Sequence, residues 1–249
     1  MDGICRLREK GSTPMKFGII TPVFDGCLES LELLHQELRL QTHTDWVWVL
    51  CSNGFSEKLS RFVRNNNKLQ SRGFTNFLQR KCQLVYIYTD YEEEESVFSL
   101  LRNIGKRRDF CIKQVKTDYI FMIDADAKIL DRRMFEIISS ELERNPRSIC
   151  IYKVIHEEGV LPIFPIGYGR IDMLNFCVKG SLAREVGYPT TVKPEAPGND
   201  FWYFDRAYKA SGGDYIFIDK VFCQHNGNNR YVNLLNLLRR EIHAHEEAH

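Results

Sequence analysis

Four short apolar runs alternate with amphipathic segments in the first half of this chain, and that alternation restricts the fold more than any other feature. The runs are rich in β-branched and aromatic residues, and they cover 16–24, 45–51, 82–88 and 118–124. The segments between them place apolar residues at helical spacing, as Leu31, Leu34 and Leu38 do within 28–42. Strands and helices in this order form βαβ units. We therefore predict an α/β fold with a mainly parallel central sheet and helices on both faces.

Two further helices belong to this half. A weaker helical pattern covers about 56–68, and a longer helix follows the third strand. We predict Thr89 or Asp90 as the N-cap of the longer helix, with Glu92–Glu95 in its first turn, where acidic side chains are favoured by the helix dipole.

The pattern changes after residue 150. Glycine and proline cluster within 154–170. Downstream, the sequence indicates a strand and a short helix within 173–189, a helix over 199–210, a strand over 214–218 and a final helix near 231–247.

These later elements are expected to extend the first sheet. We predict a leader over residues 1–14, outside the core, and a single domain over 15–249. That domain divides into a first half, 15–126, and a second half, 127–249, which includes the C-terminal helix.

Composition excludes several classes of protein. Lys and Arg number 34 and Asp and Glu 33, so a net charge of +1 gives no reason to expect a nucleic-acid partner. The sequence contains neither an apolar run near the roughly 18 residues that span a bilayer nor the pattern of a secretory signal peptide. The eight cysteines are scattered and never spaced C-x-x-C, unlike those of a zinc ribbon or a disulfide scaffold. We expect a cytoplasmic protein.

The motif Asp124-Ala125-Asp126 comes directly after the most apolar of the predicted strands. Ligands of α/β proteins gather at the carboxyl ends of strands. Two carboxylates there can share a hard divalent cation that keeps substrate phosphate oxygens as further ligands. The alternative is a turn in which the Asp side chains bond local backbone.

Asp200 is a candidate general base. It follows Pro197 and Gly198 at a helix start, where the helix dipole is expected to favour its ionised form. The alternative is a helix-capping role, which Asn199 and Asp200 could both fill.

His225 follows an apolar stretch and is a candidate third metal ligand, with a hydrogen-bonded surface histidine as the alternative. The last five residues, 245–249, match H-E-x-x-H. A zinc peptidase needs that motif on a rigid helix with a third ligand, and chain ends fray, so we predict no zinc site there.

Lys106, Arg107 and Arg108 follow the Asn-Ile-Gly of 103–105. Cations here could neutralise a diphosphate, and a solvated charged face is the alternative.

Five stretches in fixed order resemble one known family. They are IITPVF, LRLQTHTDWVWVLCSNGFSE, NIGKRRDFCIKQVKTDYIFMIDAD, FCVKGSLAREVGYP and GNDFWYFDRAYKASGGDY. Over 16–225 the chain resembles the family-two glycosyltransferases, which have the GT-A fold, depend on nucleotide sugars and invert the anomeric centre. The resemblance implies a GT-A-like, Rossmann-type sandwich in which 15–126 is the nucleotide-binding half and 127–249 the acceptor half.

The resemblance also implies roles for individual residues. Asp124 and Asp126, with His225, would hold Mn²⁺ or Mg²⁺ against the diphosphate, and Asp200 would deprotonate the acceptor hydroxyl. The implied nucleotide-sugar contacts are Thr21, Pro22, Phe24, Asn53, Asp109, Arg108 and Asp124. Ser52 and Asn199 stand where the family commonly has Asp and Glu. The insert at 154–170 matches no part of the family's pattern, and we expect it to form an acceptor loop or a lid.

The function predicted on this basis is a metal-dependent, inverting, hexosyltransferase-type enzyme. The favoured donor is a UDP-sugar, and the acceptor is a glycan, a lipid-linked molecule or another hydroxyl compound. The main alternative is a catalytically inactive sugar-nucleotide-binding protein of the same fold. A D-x-D phosphatase is disfavoured because its motif follows the first strand, and a dehydrogenase because no G-x-G-x-x-G follows any strand.

The final helix carries Leu234, Leu235, Leu238 and Ile242 at the spacing of a buried stripe. We expect it to pack on the body of the protein. Docking on a membrane surface or a partner is the alternative, because Arg239 and Arg240 flank the stripe.

Overall fold

The computed structural model describes residues 14–72, 82–91, 96–157, 159–191 and 199–225. Its strands are β1 (Phe17–Val23), β2 (Trp46–Asn53), β3 (Gln83–Thr89), β4 (Tyr119–Met122), β5 (Ala127–Ile129), β6 (Ile149–His156), β7 (Gly159–Leu161), β8 (Phe176–Lys179) and β9 (Tyr215–His225). Its helices are α1 (Leu28–Arg39), α2 (Glu57–Arg72), α3 (Val97–Gln114), α4 (Met134–Arg144), α5 (Gly180–Val186) and α6 (Asn199–Ala210), with short 3-10 turns at Asp25–Cys27 and Met173–Asn175.

The strands form one sheet in the order β3-β2-β1-β4-β8-β6-β9-β5, with β7 paired to β6. β3, β2, β1 and β4 are mutually parallel, as predicted. β8 is antiparallel to both β4 and β6, and β5 is antiparallel to β9, whereas β6 and β9 are parallel. The first half of the sheet is therefore parallel and the second half is mixed.

Helices cover both faces of this sheet, which confirms the predicted α/β sandwich. α1, α2 and α4 pack on one face, where Leu34 and Phe135 are fully buried. α3, α5 and α6 pack on the other, around Ile112 and Tyr203. Two apolar cores result because successive side chains of each strand point to opposite faces.

Helix α3 begins later than predicted. Its N-cap is Ser96, not Thr89 or Asp90: the Ser96 hydroxyl accepts from the Ser99 backbone N–H at 3.1 Å, and the Ser96 N–H donates to Ser99 Oγ at 2.9 Å. This reciprocal pair satisfies two backbone donors at once, so the helix starts there. Glu92–Glu95 lie outside the described residues.

The second half contains elements that we did not predict, namely β5, α4, β6 and β7. The predicted strand at 214–218 is only the start of β9, which continues to His225. The helix predicted over 199–210 is confirmed as α6. The final helix near 231–247, the H-E-x-x-H at 245–249 and nearly all of the leader lie outside the described residues.

Candidate active site

The carboxyl ends of β1 and β4 meet where the strand order reverses. The chain runs outward from β1 through β2 to β3 and then returns to place β4 on the other side of β1. A reversal of this kind leaves a crevice at the carboxyl ends of the strands, where α/β proteins bind ligands. Six predicted site residues of the first half lie at or just beyond the carboxyl ends of β1, β2 and β4: Thr21, Pro22, Phe24, Asn53, Asp124 and Asp126.

β4 carries the D-x-D motif into this crevice. Asp124 and Asp126 are half-buried, and the Ala127 N–H donates to the Asp124 carbonyl at 3.1 Å in a turn that enters β5 directly. β5 pairs with the end of β9 so that Ala127 lies opposite His225. The topology therefore brings the three predicted metal ligands to the same sheet edge.

Arg108 joins the motif to the predicted base. Its Nη2 donates to Asp124 Oδ1 at 2.6 Å, and its Nη1 donates to Asp200 Oδ1 at 3.0 Å. The Arg108 side chain is only 7% exposed, so both ion pairs are largely shielded from water. A guanidinium presents several donors in a fixed plane, which lets it hold two carboxylates at once.

Tyr188 completes this network. Arg108 Nη1 donates to the Tyr188 hydroxyl at 2.7 Å, and that hydroxyl donates to Asp200 Oδ1, also at 2.7 Å. Asp109, the neighbour of Arg108 on α3, accepts from the Tyr188 backbone N–H at 2.9 Å and pairs with Lys113 at 2.6 Å. Asp109 therefore holds Tyr188 in register with α3.

The electrostatics of Asp200 differ from our expectation. We expected the helix start to favour the ionised form, but burial raises the pKa of Asp200 to about 6. Arg108 and the Tyr188 hydroxyl lower this pKa, and the charges of Asp172 and Asp124 raise it. Loss of hydration outweighs the favourable partners. Asp200 still remains mostly ionised at neutral pH.

Two more titratable side chains at this edge, Asp172 and His156, were not predicted from the sequence. Asp172 is half-buried, and burial followed by the charge of Asp124 raises its pKa, while His225 and His156 lower it. His156, at the end of β6, stacks on His225 with ring centroids 4.9 Å apart. Neither residue stands next to a recognisable motif, so only the tertiary fold identifies them.

The residues at the D-x-D edge fit a divalent cation held jointly with a ligand. Burial and the charge of Asp124 raise the pKa of Asp126, while His225 lowers it, so a further positive charge would stabilise both carboxylates. Within the described residues no three His, Cys, Asp or Glu side chains form a complete metal site. Two protein carboxylates plus substrate phosphates are a common way to bind Mg²⁺.

The side chains predicted to contact the nucleoside differ in how far they are exposed to solvent. Thr21 is fully buried, since its hydroxyl donates to the Ile123 carbonyl at 2.6 Å and accepts from Trp48 Nε1 at 2.8 Å. Phe24, by contrast, is 53% exposed. Asn53 Oδ1 accepts from the Tyr91 N–H at 2.9 Å. Thr21 thus ties β1 to β2 and to the end of β4, and its side chain is not exposed in the crevice.

The basic segment 106–108 of α3 is not a solvent-exposed, charged face of the helix. Arg107 and Arg108 lie in the middle of α3 and are buried, and Lys106 lies over the Tyr91 ring at 5.2 Å. At Gly105 of the same helix an added Cβ would overlap the Pro189 carbonyl, so the loop after α5 packs directly on α3.

No known protein family and no curated protein matches this sequence. Solved structures do match its fold. Two are S. aureus TarS 1–349, alone (TM-score 0.62, 13% identity) and with UDP (TM-score 0.60, 13% identity), each covering 90% of this chain and 64% of that one. A third is the mannosyltransferase PcManGT from Pyrobaculum calidifontis with GDP-Man and Mn²⁺ (TM-score 0.63, 13% identity, 92% and 61% covered).

These matches confirm the GT-A-like α/β fold. The chain spans less than two thirds of the length of each of these structures. In the part of the chain that the structure describes, no helix has the length and apolar character needed to cross a bilayer.

Proposed function

We propose that this chain is a metal-dependent, inverting glycosyltransferase of the family-two, hexosyltransferase type. The observation that carries the proposal is the shared ion pair of Arg108. It brings Asp124, the first carboxylate of the D-x-D motif, together with Asp200, the candidate base, although Asp200 lies 92 residues beyond Arg108. The two carboxylates that this chemistry requires therefore converge at one crevice. The fold likeness to a mannosyltransferase supports the same chemistry.

In the proposed reaction, the donor is a nucleotide sugar, and a UDP-sugar is favoured. Pro22, Phe24 and Asn53 would contact the nucleoside, and Asp124 and Asp126 would hold Mn²⁺ or Mg²⁺, with His225 near them. The ion would supply Lewis-acid stabilisation of the departing diphosphate. Arg108 would orient Asp124 and add positive charge beside the leaving group.

Asp200 would act on the acceptor. An alcohol has a pKa far above neutral, so it needs a base as it attacks. The acceptor oxygen forms a bond to the anomeric carbon, the bond from that carbon to the diphosphate oxygen breaks, and the hydroxyl proton passes to Asp200. A single displacement of this kind inverts the anomeric centre. Tyr188 and Arg108 would orient Asp200, since both donate to its Oδ1.

Two further parts of the proposal concern organisation. We assign nucleotide binding to residues 15–126 and acceptor binding to 127–249, within one domain. The chain is proposed to act in the cytoplasm, with a glycan, a lipid-linked molecule or another hydroxyl compound as acceptor.

The first experiment identifies the donor. Thermal shift is measured with UDP-, GDP-, CDP- and dTDP-sugars, with Mn²⁺ and with chelator, because a ligand that binds only the native state raises its stability. We expect one nucleotide to stabilise the protein in Mn²⁺ and to lose most of its effect in chelator. Asp126→Ala should abolish this difference. Equal stabilisation with and without metal would contradict the metal role.

The second experiment tests the base. Asp200→Asn should lower turnover by about 10²- to 10⁴-fold with donor affinity nearly unchanged. Asp205→Asn is the matched control, because Asp205 lies on the same helix and forms an ion pair with Lys209 at 2.7 Å, away from the Arg108 network. It should retain full activity. Full activity in Asp200→Asn would contradict the assignment, and donor binding without turnover in the wild type would favour the inactive binding protein.

A further inference from the structure

The part of the 154–170 insert that follows β7 forms a loop, closed between Ile163 and Arg170, beside the candidate base. The Ile163 N–H donates to the Arg170 carbonyl at 2.9 Å, and the Arg170 N–H donates to the Gly167 carbonyl at 3.0 Å. Arg170 Nη1 also reaches the Pro165 carbonyl at 3.3 Å. These bonds fix the stretch 163–170, which forms no helix or strand.

Aromatic contacts attach this loop to the acceptor half. Phe164 packs edge-to-face on Phe217 of β9, with ring centroids 5.0 Å apart. Tyr168 packs edge-to-face on Phe201 at 6.1 Å, and Phe201 directly follows Asp200 on α6. Tyr168 nevertheless keeps 48% of its surface exposed. A large aromatic surface is therefore held open close to the base.

The chain then leads from this loop to Asp172, whose Oδ1 accepts from the Leu174 N–H at 2.9 Å. The 3-10 turn that Asp172 caps packs against β4 and β6. The charge of Asp172 acts on Asp200, and the charge of Asp124 acts on Asp172. Asp172 is thus electrostatically linked to both the candidate base and the D-x-D motif, yet the proposed reaction gives it no role.

We propose that Tyr168 and Asp172 form the acceptor subsite and that the acceptor is an uncharged saccharide. This inference rests on the proposed glycosyl transfer. A sugar presents C–H groups on its ring faces and hydroxyls on its rim, which match an exposed aromatic face and a carboxylate that accepts hydrogen bonds.

The negative charge of this sheet edge favours an uncharged saccharide over a phosphate-bearing lipid as the acceptor. Four carboxylates belong to this edge: Asp124, Asp126, Asp172 and Asp200. Arg108 is already paired with two of them. In the stretch 159–170 the only charged side chain is Arg170, whereas attraction to anionic lipid needs a cluster of basic residues. With the proposed divalent cation and Arg108 counted, the four carboxylates and the donor diphosphate still leave this edge negative, so an anionic acceptor would meet net repulsion and a neutral sugar would not.

The test uses the donor identified above and two sets of acceptor probes: neutral methyl glycosides and disaccharides, and farnesyl phosphate. We expect transfer to a neutral saccharide. Tyr168→Ala should raise the KM for that saccharide about tenfold, as expected for the loss of one aromatic contact, while the Kd of the donor nucleotide stays unchanged. Tyr168→Phe keeps the ring and should keep the KM within about threefold.

Two further variants sharpen the test. Asp172→Asn retains the cap of the 3-10 turn, since Asn caps as well as Asp, and should raise the same KM. Tyr215→Ala is the control, because Tyr215 is also a partly exposed tyrosine, 36% exposed, at the opposite end of β9 from His225. It should change nothing. Transfer to farnesyl phosphate alone, or an unchanged saccharide KM in Tyr168→Ala, would overturn the proposal.

Failure of the proposed function gives a different result. In that case the wild type would neither hydrolyse nor transfer sugar from any donor. Saturation-transfer NMR with the saccharide probes and no donor still reports on the subsite: binding that Tyr168→Ala abolishes supports it, and absence of binding to the wild type contradicts it.

Discussion

The parallel strands β1–β4 and the mixed strands β5–β9 contribute different chemistry to the same crevice. The parallel half supplies the D-x-D motif and, through α3, the buried Arg108. The mixed half supplies Asp200, Tyr188 and Asp172 on α6 and on irregular segments. In the proposed reaction the parallel half would bind the phosphate-bearing donor, and the mixed half would face the acceptor.

The position of the candidate site between the two halves makes it depend on the contacts that join them. Hydrogen bonds and ion pairs that cross between the halves fix the position of Asp124 relative to Asp200. Two such places are the Arg108 network and the approach of Gly180 to the start of β4. Variants at these places test whether the two halves are joined as the structure indicates.

The largest effect is expected for Arg108→Met. Removing one partner of a buried ion pair typically costs 3–5 kcal/mol, and we expect about 3 kcal/mol here because Asp124 and Asp200 keep 32% and 26% of their side-chain surface. Urea unfolding measures the change. Arg133→Met is the control, since Arg133 is 59% exposed and pairs with Glu136 at 3.4 Å, so it should cost less than about 1 kcal/mol. Equal effects of the two variants would mean that Arg108 does not join the halves.

Gly180→Ala should have the next largest effect. The Gly180 N–H donates to the Asp118 carbonyl at 2.6 Å, and an added Cβ would overlap the Thr117 carbonyl oxygen, so β8 and β4 must separate. We expect a loss of about 1–3 kcal/mol in the free energy of unfolding. Gly167→Ala should instead be neutral or slightly stabilising, because the nearest atom to its Cβ is Arg170 Cδ at 3.9 Å. An unchanged free energy of unfolding in Gly180→Ala would show that Gly180 does not lie this close to the start of β4.

The smallest effect concerns pH. Burial raises the pKa of Asp200 to about 6, and a base acts only when ionised. Turnover should therefore fall below pH 6, by about tenfold for each pH unit, instead of below pH 4. The measurement is kcat at saturating donor and acceptor from pH 4.5 to 8, with donor binding followed in parallel. Turnover that stays constant down to pH 5 would contradict either the pKa or the role of Asp200.

The elements predicted best from the sequence are those whose burial produces a continuous run of apolar residues. β1, β2, β3 and β4 are apolar runs bounded by polar turns, and each was predicted within a few residues. α3 was misplaced at its start because the acidic run before Ser96 resembles a first helical turn. β5 and β7 are three residues long, too short for any periodicity.

The candidate site was predictable only where a motif marks it. Asp124, Asp126 and Asp200 follow breakers or strands in the sequence, whereas Asp172 is identified only by its tertiary neighbours. Arg107 and Arg108 look like solvated charges in the sequence. Arg108 is buried with Asp124 and Asp200, which are distant from it in the chain, and no local pattern reveals this pairing.

The position of Arg108 also bears on how the protein folds. A guanidinium leaves water at a large cost unless its counter-charges are present. One of those counter-charges, Asp200, lies beyond the mixed strands β6 and β8. The parallel half therefore cannot complete the packing of α3 on its own, and a fragment ending at residue 126 would leave this charge uncompensated. The two halves should unfold as one cooperative unit, with the assembly of the candidate catalytic groups as part of the folding reaction itself.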